Sequence, residues 1–370
     1  MTTYRVAVIG RTGRGDYGHG IDTVWRDVPS TKLVAVADDN KMGLAEAARR
    51  LGVDQAFADY REMLDKVKPD IVGIGPRWID QRRDMLVAAA ERGIHVFLDK
   101  PLCRTLAEAD EIVAACERTH TRLAIAYQTR YSPKLPVVKE LIESGKIGRV
   151  LELRGRGKED ARGGAEDLWV LGSHIVDLIR ALVGGASWCF GSVAVDGRPI
   201  AKTDVYEGSD GIGLLAGNQV AAVYGLGEGG TAYFNSSKNA AGRPSRFGLQ
   251  ILGTGGIIEM GTNYLPAVKY LADPSWSPGR TRRQWQDVSS AGLGKPEPIT
   301  DGTPHWGNVA VVKDLIASIE GDRQPIANIY EARAGLEMIA AVFESARLGK
   351  AVALPLENRQ GPLEMLKLGS

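Results

Sequence analysis

The chain has 370 residues, enough for two domains of ordinary size. Its 44% hydrophobic and 25% charged content is that of a folded globular protein, which sets disorder aside. A formal charge of +1 speaks against dedicated nucleic-acid binding, and no apolar run reaches the ~18 residues of a membrane span. The three cysteines, Cys103, Cys116 and Cys189, have no Cys-x-x-Cys spacing. That argues against a disulfide framework or a zinc site, and no metal is expected. With no signal-like start, a cytoplasmic location is the default.

The first third alternates short apolar runs with helical stretches. Runs at 6–9, 33–37, 70–74, 95–98 and 123–126 have the character of strands buried on both faces. Between them, Leu44, Ala47, Ala48 and Leu51 recur at helical spacing before Gly52, as do Met85, Leu86 and Ala89 before Gly93. Thr105 and Glu108 have the spacing of a capping box. Strand and helix in alternation predict a doubly wound α/β domain.

After about residue 148 the pattern changes to strand-like segments at 150–156, 189–195, 211–215, 220–226, 231–235, 247–252 and 257–260. Gly217-Asn218 has the composition of a two-residue hairpin turn. One helix is expected over 171–182, an irregular excursion around 273–279, and two terminal helices bearing Val309, Val312, Ile316, Ile319 and Leu336, Ile339, Ala340, Phe343. This predicts an α/β Rossmann domain over 1–127 and an α+β domain with an open, mainly antiparallel sheet over 128–370.

The glycine loop Gly10-Arg11-Thr12-Gly13-Arg14-Gly15 follows the first run directly, where a Rossmann turn aims helix N–H groups at a pyrophosphate. Its spacing is G-x-x-G-x-G rather than G-x-G-x-x-G. Asp38 ends the second run, where a carboxylate accepts from ribose hydroxyls and repels a 2′-phosphate. NAD is therefore expected over NADP, with Arg11 and Arg14 keeping NADP open. Pro76, Asp99, Lys100 and Gln128 complete the candidate cofactor contacts.

Five segments resemble one family. They are Asp99-Lys100-Pro101, the 128–133 segment Gln-Thr-Arg-Tyr-Ser-Pro, the 141–148 helix and turn, Gly172-Ser173-His174-Ile175-Val176-Asp177, and the 344–356 end. In order and content they are similar to motifs of the glucose–fructose oxidoreductase, inositol dehydrogenase and rhizopine-catabolism (Gfo/Idh/MocA) enzymes. The resemblance implies a nicotinamide at the junction of two domains, a homodimer or homotetramer paired through the open sheet, and a small carbohydrate or cyclitol substrate.

Oxidising a secondary alcohol needs a hydride acceptor, a base for the hydroxyl proton and a cation beside the developing alkoxide. Lys100 suits the cation, His174 the acid–base group, and Asp177 lies on the same helical face. Family dehydrogenases carry an aspartate four residues before this histidine, and this chain has Val170 there. Asp167 or Glu166 could substitute, or the net reaction could differ. A redox-neutral glycosidase that oxidises, eliminates, hydrates and re-reduces its sugar is the alternative, and an NAD-binding regulatory protein a lesser one. Arg156, Lys158, Trp169, His305 and Trp306 are further substrate-contact candidates, the aromatic faces for stacking on a pyranose.

Overall fold

In the computed structural model, which describes residues 3–369, the apolar runs of the first third become parallel strands. They are β1 (Tyr4–Ile9), β2 (Thr31–Ala37), β3 (Gln55–Phe57), β4 (Ile71–Ile74), β5 (His95–Leu98) and β6 (Leu123–Ile125). The order β3-β2-β1-β4-β5-β6 reverses between β1 and β4, the crevice where open α/β sheets bind ligands. Four helices alternate with the strands: α1 (Lys41–Leu51), α2 (Tyr60–Val67), α3 (Arg82–Ala90) and α4 (Leu106–Thr119). Asn40 caps α1 by accepting from the N–H groups of Met42 and Gly43, and Gly52, at φ 69°, ends it. Thr105 accepts from the Glu108 N–H as the spacing predicts, but the Glu108 carboxylate turns to the N–H of Arg104.

The β1–β2 crossover departs from expectation. No α-helix opens from the glycine loop; the stretch holds one 3-10 turn, Val24–Asp27. Residues Arg11 and Asp16 instead pair with each other across a tight backbone loop. The first unit runs to Gln128 and takes back Ser209–Gly213 and Pro304–Arg333.

The second unit comprises Thr129–Gly208, Leu214–Thr303 and Ala334–Ser370. It begins with α5 (Leu135–Glu143), β7 (Val150–Arg156), α6 (Ala165–Val170), α7 (Gly172–Val183), β8 (Ala186–Val195) and β9 (Arg198–Pro199). A small pair follows, β10 (Tyr206–Glu207) with β11 (Leu214–Leu215). Then come β12 (Gln219–Leu226), β13 (Thr231–Ser237), β14 (Gly248–Gly253), β15 (Ile257–Gly261) and β16 (Val268–Leu271). A single turn, α8 (Pro278–Thr281), precedes β17 (Gln286–Ser289) and β18 (Gly292–Leu293). The chain ends with α9 (Pro304–Glu320), α10 (Ile329–Leu348), β19 (Val352–Ala353) and α11 (Pro362–Leu368).

The large sheet runs β18-β17-β16-β15-β14-β7-β13-β12-β8-β19, with β9 on β8. Every pairing in it is antiparallel except β7 with β13. This is the open, mainly antiparallel sheet that the sequence predicts. The hairpin at Gly217-Asn218 does not form. β12 already has β8 and β13 as neighbours, so β11 pairs with β10 instead. Helices α6 and α7 pack on β12, β13 and β7, where Gly155 leaves room for Ile175. Among the described residues no helix is long and apolar enough to cross a membrane.

Candidate functional site

At the ends of β1, β2 and β3 the first unit holds a cavity of about 290 Å³. Gly10, Arg11, Asp38, Asp39, Tyr60 and Gln81 are among its walls. Its size suits a nucleoside, and its place on the sheet is where the adenosine half of a dinucleotide belongs. Arg11 is 4% exposed, yet its Nε has no hydrogen-bond partner. A buried orphan donor beside the cavity fits a polar guest. Its other end holds Asp80 at 2.6 Å, and Asp39 lies 3.5 Å from the orphan Nε.

Asp38 is tied into the loop that follows β1. Its carboxylate accepts from the Thr12 N–H at 3.1 Å, the Thr12 hydroxyl at 2.6 Å, the Tyr17 hydroxyl at 3.0 Å and the Asn40 N–H at 2.9 Å. A carboxylate offers about four acceptor sites, so ribose hydroxyls would have to displace protein donors. The neighbouring Asp39 is exposed and lines the same cavity. Thr12 is thereby a strut for Asp38, and Arg14 packs over Trp78 and pairs loosely with Asp80. Gly13 and Gly15 sit at φ 83° and 82°, and a Cβ on Gly15 would strike the backbone of Arg77.

Asp99 and Lys100 follow β5, and both are buried. One residue missed by sequence reasoning organises them. Arg82, on α3 and 1% exposed, donates to the carbonyls of Pro76, Asp99 and Pro101. It therefore grips the chain on both sides of Lys100. Pro76 thus serves through its carbonyl. Burial alone pushes the Asp99 carboxyl up, but the hydrogen bond and charge of His19, then Lys100 and Arg82, outweigh it and leave it below its ordinary value. Gln128 donates to Asn308 at 2.9 Å.

In the second unit His174 lies half-buried on the first turn of α7, its N–H donating to Leu171. Asp177 accepts from Arg130 at 2.9 Å, joining α7 to the 128–133 segment. Asp167 is fully buried and accepts from the Ser236 hydroxyl at 2.5 Å and the Glu159 N–H at 2.9 Å. Its carboxylate thus braces the loop after β7. Glu159, equally buried, pairs with Arg156 and Arg246. Lys158 lies 3.5 Å from Asp160. Trp169 turns its ring edge-on to Phe343 and is 7% exposed, which puts it in the core and off any stacking surface. His305 and Trp306 belong to the first unit, on α9, where His305 pairs with Asp27 at 2.8 Å. Sequence order alone had grouped them with the second half.

The chain thus joins a Rossmann unit to a unit built on an open, mainly antiparallel sheet. Residues 4–127 match the model of the GFO_IDH_MocA oxidoreductase family, described as an NAD-binding Rossmann fold. Levoglucosan dehydrogenase of Pseudarthrobacter phenanthrenivorans is 28% identical over 62% of this chain, a match that spans 65% of that enzyme, just under two thirds. The NAD(+)-dependent scyllo-inositol 2-dehydrogenase of Bacillus subtilis is 27% identical over 70% of this chain and 74% of its own length. A solved levoglucosan dehydrogenase in complex with NADH and L-sorbose has the same fold, with a TM-score of 0.76 at 21% identity over 96% of this chain and all of that one.

Proposed function

We propose that the chain is an NAD-dependent dehydrogenase that oxidises a secondary hydroxyl of a sugar, sugar derivative or cyclitol. The observation that carries this reading is Lys100, a buried ammonium at the ligand end of a Rossmann strand, gripped on either side by Arg82. The sugar and cyclitol dehydrogenases among its relatives support the substrate class.

The nucleoside-sized cavity would hold the adenosine end of NAD, with Asp39 at the ribose. The bound cofactor supplies the hydride acceptor. Lys100 lowers the cost of negative charge on the substrate oxygen, and His174 holds or moves the hydroxyl proton at its ring nitrogen. Asp177 acts through Arg130 and the seating of α7 rather than on the substrate.

The test is the absorbance of NADH formed from NAD+ with a polyol panel. Stoichiometric NADH, lost in Lys100→Ala, is the expected result. Release of sugar from a glycoside with no net NADH, and NAD retained through purification, would replace this reading with the redox-neutral glycosidase. Unchanged turnover in Lys100→Ala would overturn both.

A further inference from the structure

His19 occupies the turn that the glycine loop makes over the ends of β4 and β5. Gly18 and Gly20 flank it at φ 64° and 79°. A Cβ on Gly18 would come within 2.3 Å of the Gly75 carbonyl and 2.5 Å of the Asp99 carboxylate, so only glycine lets the chain pass this close. The backbone of His19 is pinned on both sides. Its N–H donates to Oδ2 of Asp99 at 3.2 Å, and its carbonyl accepts from Nδ2 of the buried Asn308 at 2.7 Å. The far side of Asn308 is in turn held by Gln128.

The ring is treated differently from the backbone. Nδ1 of His19 lies 2.8 Å from Oδ2 of Asp99, whose side chain is 1% exposed, while the imidazole side chain remains 48% exposed. A carboxylate on Nδ1 fixes the tautomer, with the Nδ1 hydrogen toward Asp99 and the lone pair on Nε2 facing outward. The same carboxylate orients the ring. The charged groups facing the pair are Lys100, next in the chain after Asp99, and Arg82 from α3; α9 contributes the neutral Asn308. Val170 removes a carboxylate from the helical segment before His174. Asp99 supplies one to an imidazole on the Rossmann unit.

We propose, on the reading of this chain as a dehydrogenase, that His19 is a further acid–base group of the reaction. In oxidation the substrate C–H bond breaks and its electron pair leaves as hydride to the nicotinamide. The O–H bond breaks with it, the C=O bond forms, and the proton passes to Nε2 of His19, with His174 left to hold the substrate oxygen by a hydrogen bond rather than to take its proton. In reduction Nε2 returns it.

The test combines two readouts on the full chain. Histidine-labelled protein, followed by nitrogen-detected NMR from pH 5 to 9, resolves the five histidines, and His19→Gln assigns the signal of interest. The expected result is a neutral form protonated at Nδ1 whose ring signals shift when NAD+ binds, with the tautomer preference lost in Asp99→Asn. Ring signals indifferent to NAD+, or a neutral ring protonated at Nε2, overturn the proposal. In turnover, His19→Gln should lower kcat by ~10²-fold or more and remove one limb of its pH profile, with NADH affinity little changed. An unaltered limb overturns the proposal even if kcat falls, because a merely structural loss leaves the ionisation in place. If the wild-type chain reduces no NAD+ with any polyol, the dehydrogenase reading falls, and the NMR result alone decides whether His19 answers to the cofactor.

Discussion

Tyr17 donates its hydroxyl hydrogen to Oδ2 of Asp38 at 3.0 Å from within the loop that follows β1. Burial, then the charge of Asp38, pushes the Tyr17 hydroxyl well above its ordinary value, so it stays a donor through the working pH range. With Thr12 and Asn40 occupying the remaining acceptor sites, Asp38 serves the loop.

Cofactor choice should therefore follow Asp39. Removing that charge in Asp39→Ser frees Arg11 from one of its two carboxylates and lifts the repulsion of a 2′-phosphate. NADPH affinity should rise by ~10-fold or more, roughly the effect of one unfavourable charge contact. Asp38→Asn should instead lower stability by ~1–3 kcal/mol, as a buried acceptor network loses its partner. Fluorescence titration with NADH and NADPH, beside thermal unfolding, checks both. A switch in cofactor choice from Asp38→Asn, with none from Asp39→Ser, would return the discrimination to Asp38.

Arg82 should behave as a positioning residue. Burial pushes its guanidinium down to about 10, still a cation at neutral pH, and its donors go to three main-chain carbonyls. Arg82→Met strands those carbonyls and should cost ~3 kcal/mol or more. Arg82→Lys keeps the charge but cannot span three acceptors. It should fold and lose kcat more than it raises KM, because the Lys100 turn is loosened while remote binding contacts persist. Equal kcat in wild type and Arg82→Lys would remove Arg82 from the account of Lys100.

Much of this architecture could be read from short-range pattern. The 150–156 stretch becomes β7 over the same residues, and the run at 33–37 lies within β2. Gly52 ends α1 because its left-handed turn is a local matter. What escaped depends on distant partners. Arg82 is one of two adjacent arginines in the sequence, and only the fold brings it to carbonyls 17 and 19 residues away. The His19–Asp99 pair spans 80 residues. Asp38 had the right place for a ribose contact, and the loop closing over it could not be read from spacing. β3 was silent because its three residues are short, partly exposed and led by glutamine. Trp169 was a fair stacking candidate until Phe343, far along the chain, covered it.

The charged stretch after β7 gives a prediction in pH. Asp160 is held down to about 2, first by its hydrogen bond to Arg162 and then by the charges of Arg162 and Lys158. Its folded value lies below the ordinary 3.8, so the contribution is fully present above that value and is lost as pH falls from about 4 through about 2. Because the pair is partly exposed, the effect should be on the order of 1 kcal/mol. Asp160→Asn should thus lower stability at neutral pH and converge with wild type near pH 2, measured by urea unfolding across that range. A gap that persists undiminished at pH 2 would show that the ion pair is not its source. If the stretch served chemistry rather than folding, Asp160→Asn would cut kcat by ~10²-fold at neutral pH. The Asp160 pairs with Arg162 and Lys158 in the folded chain favour the former.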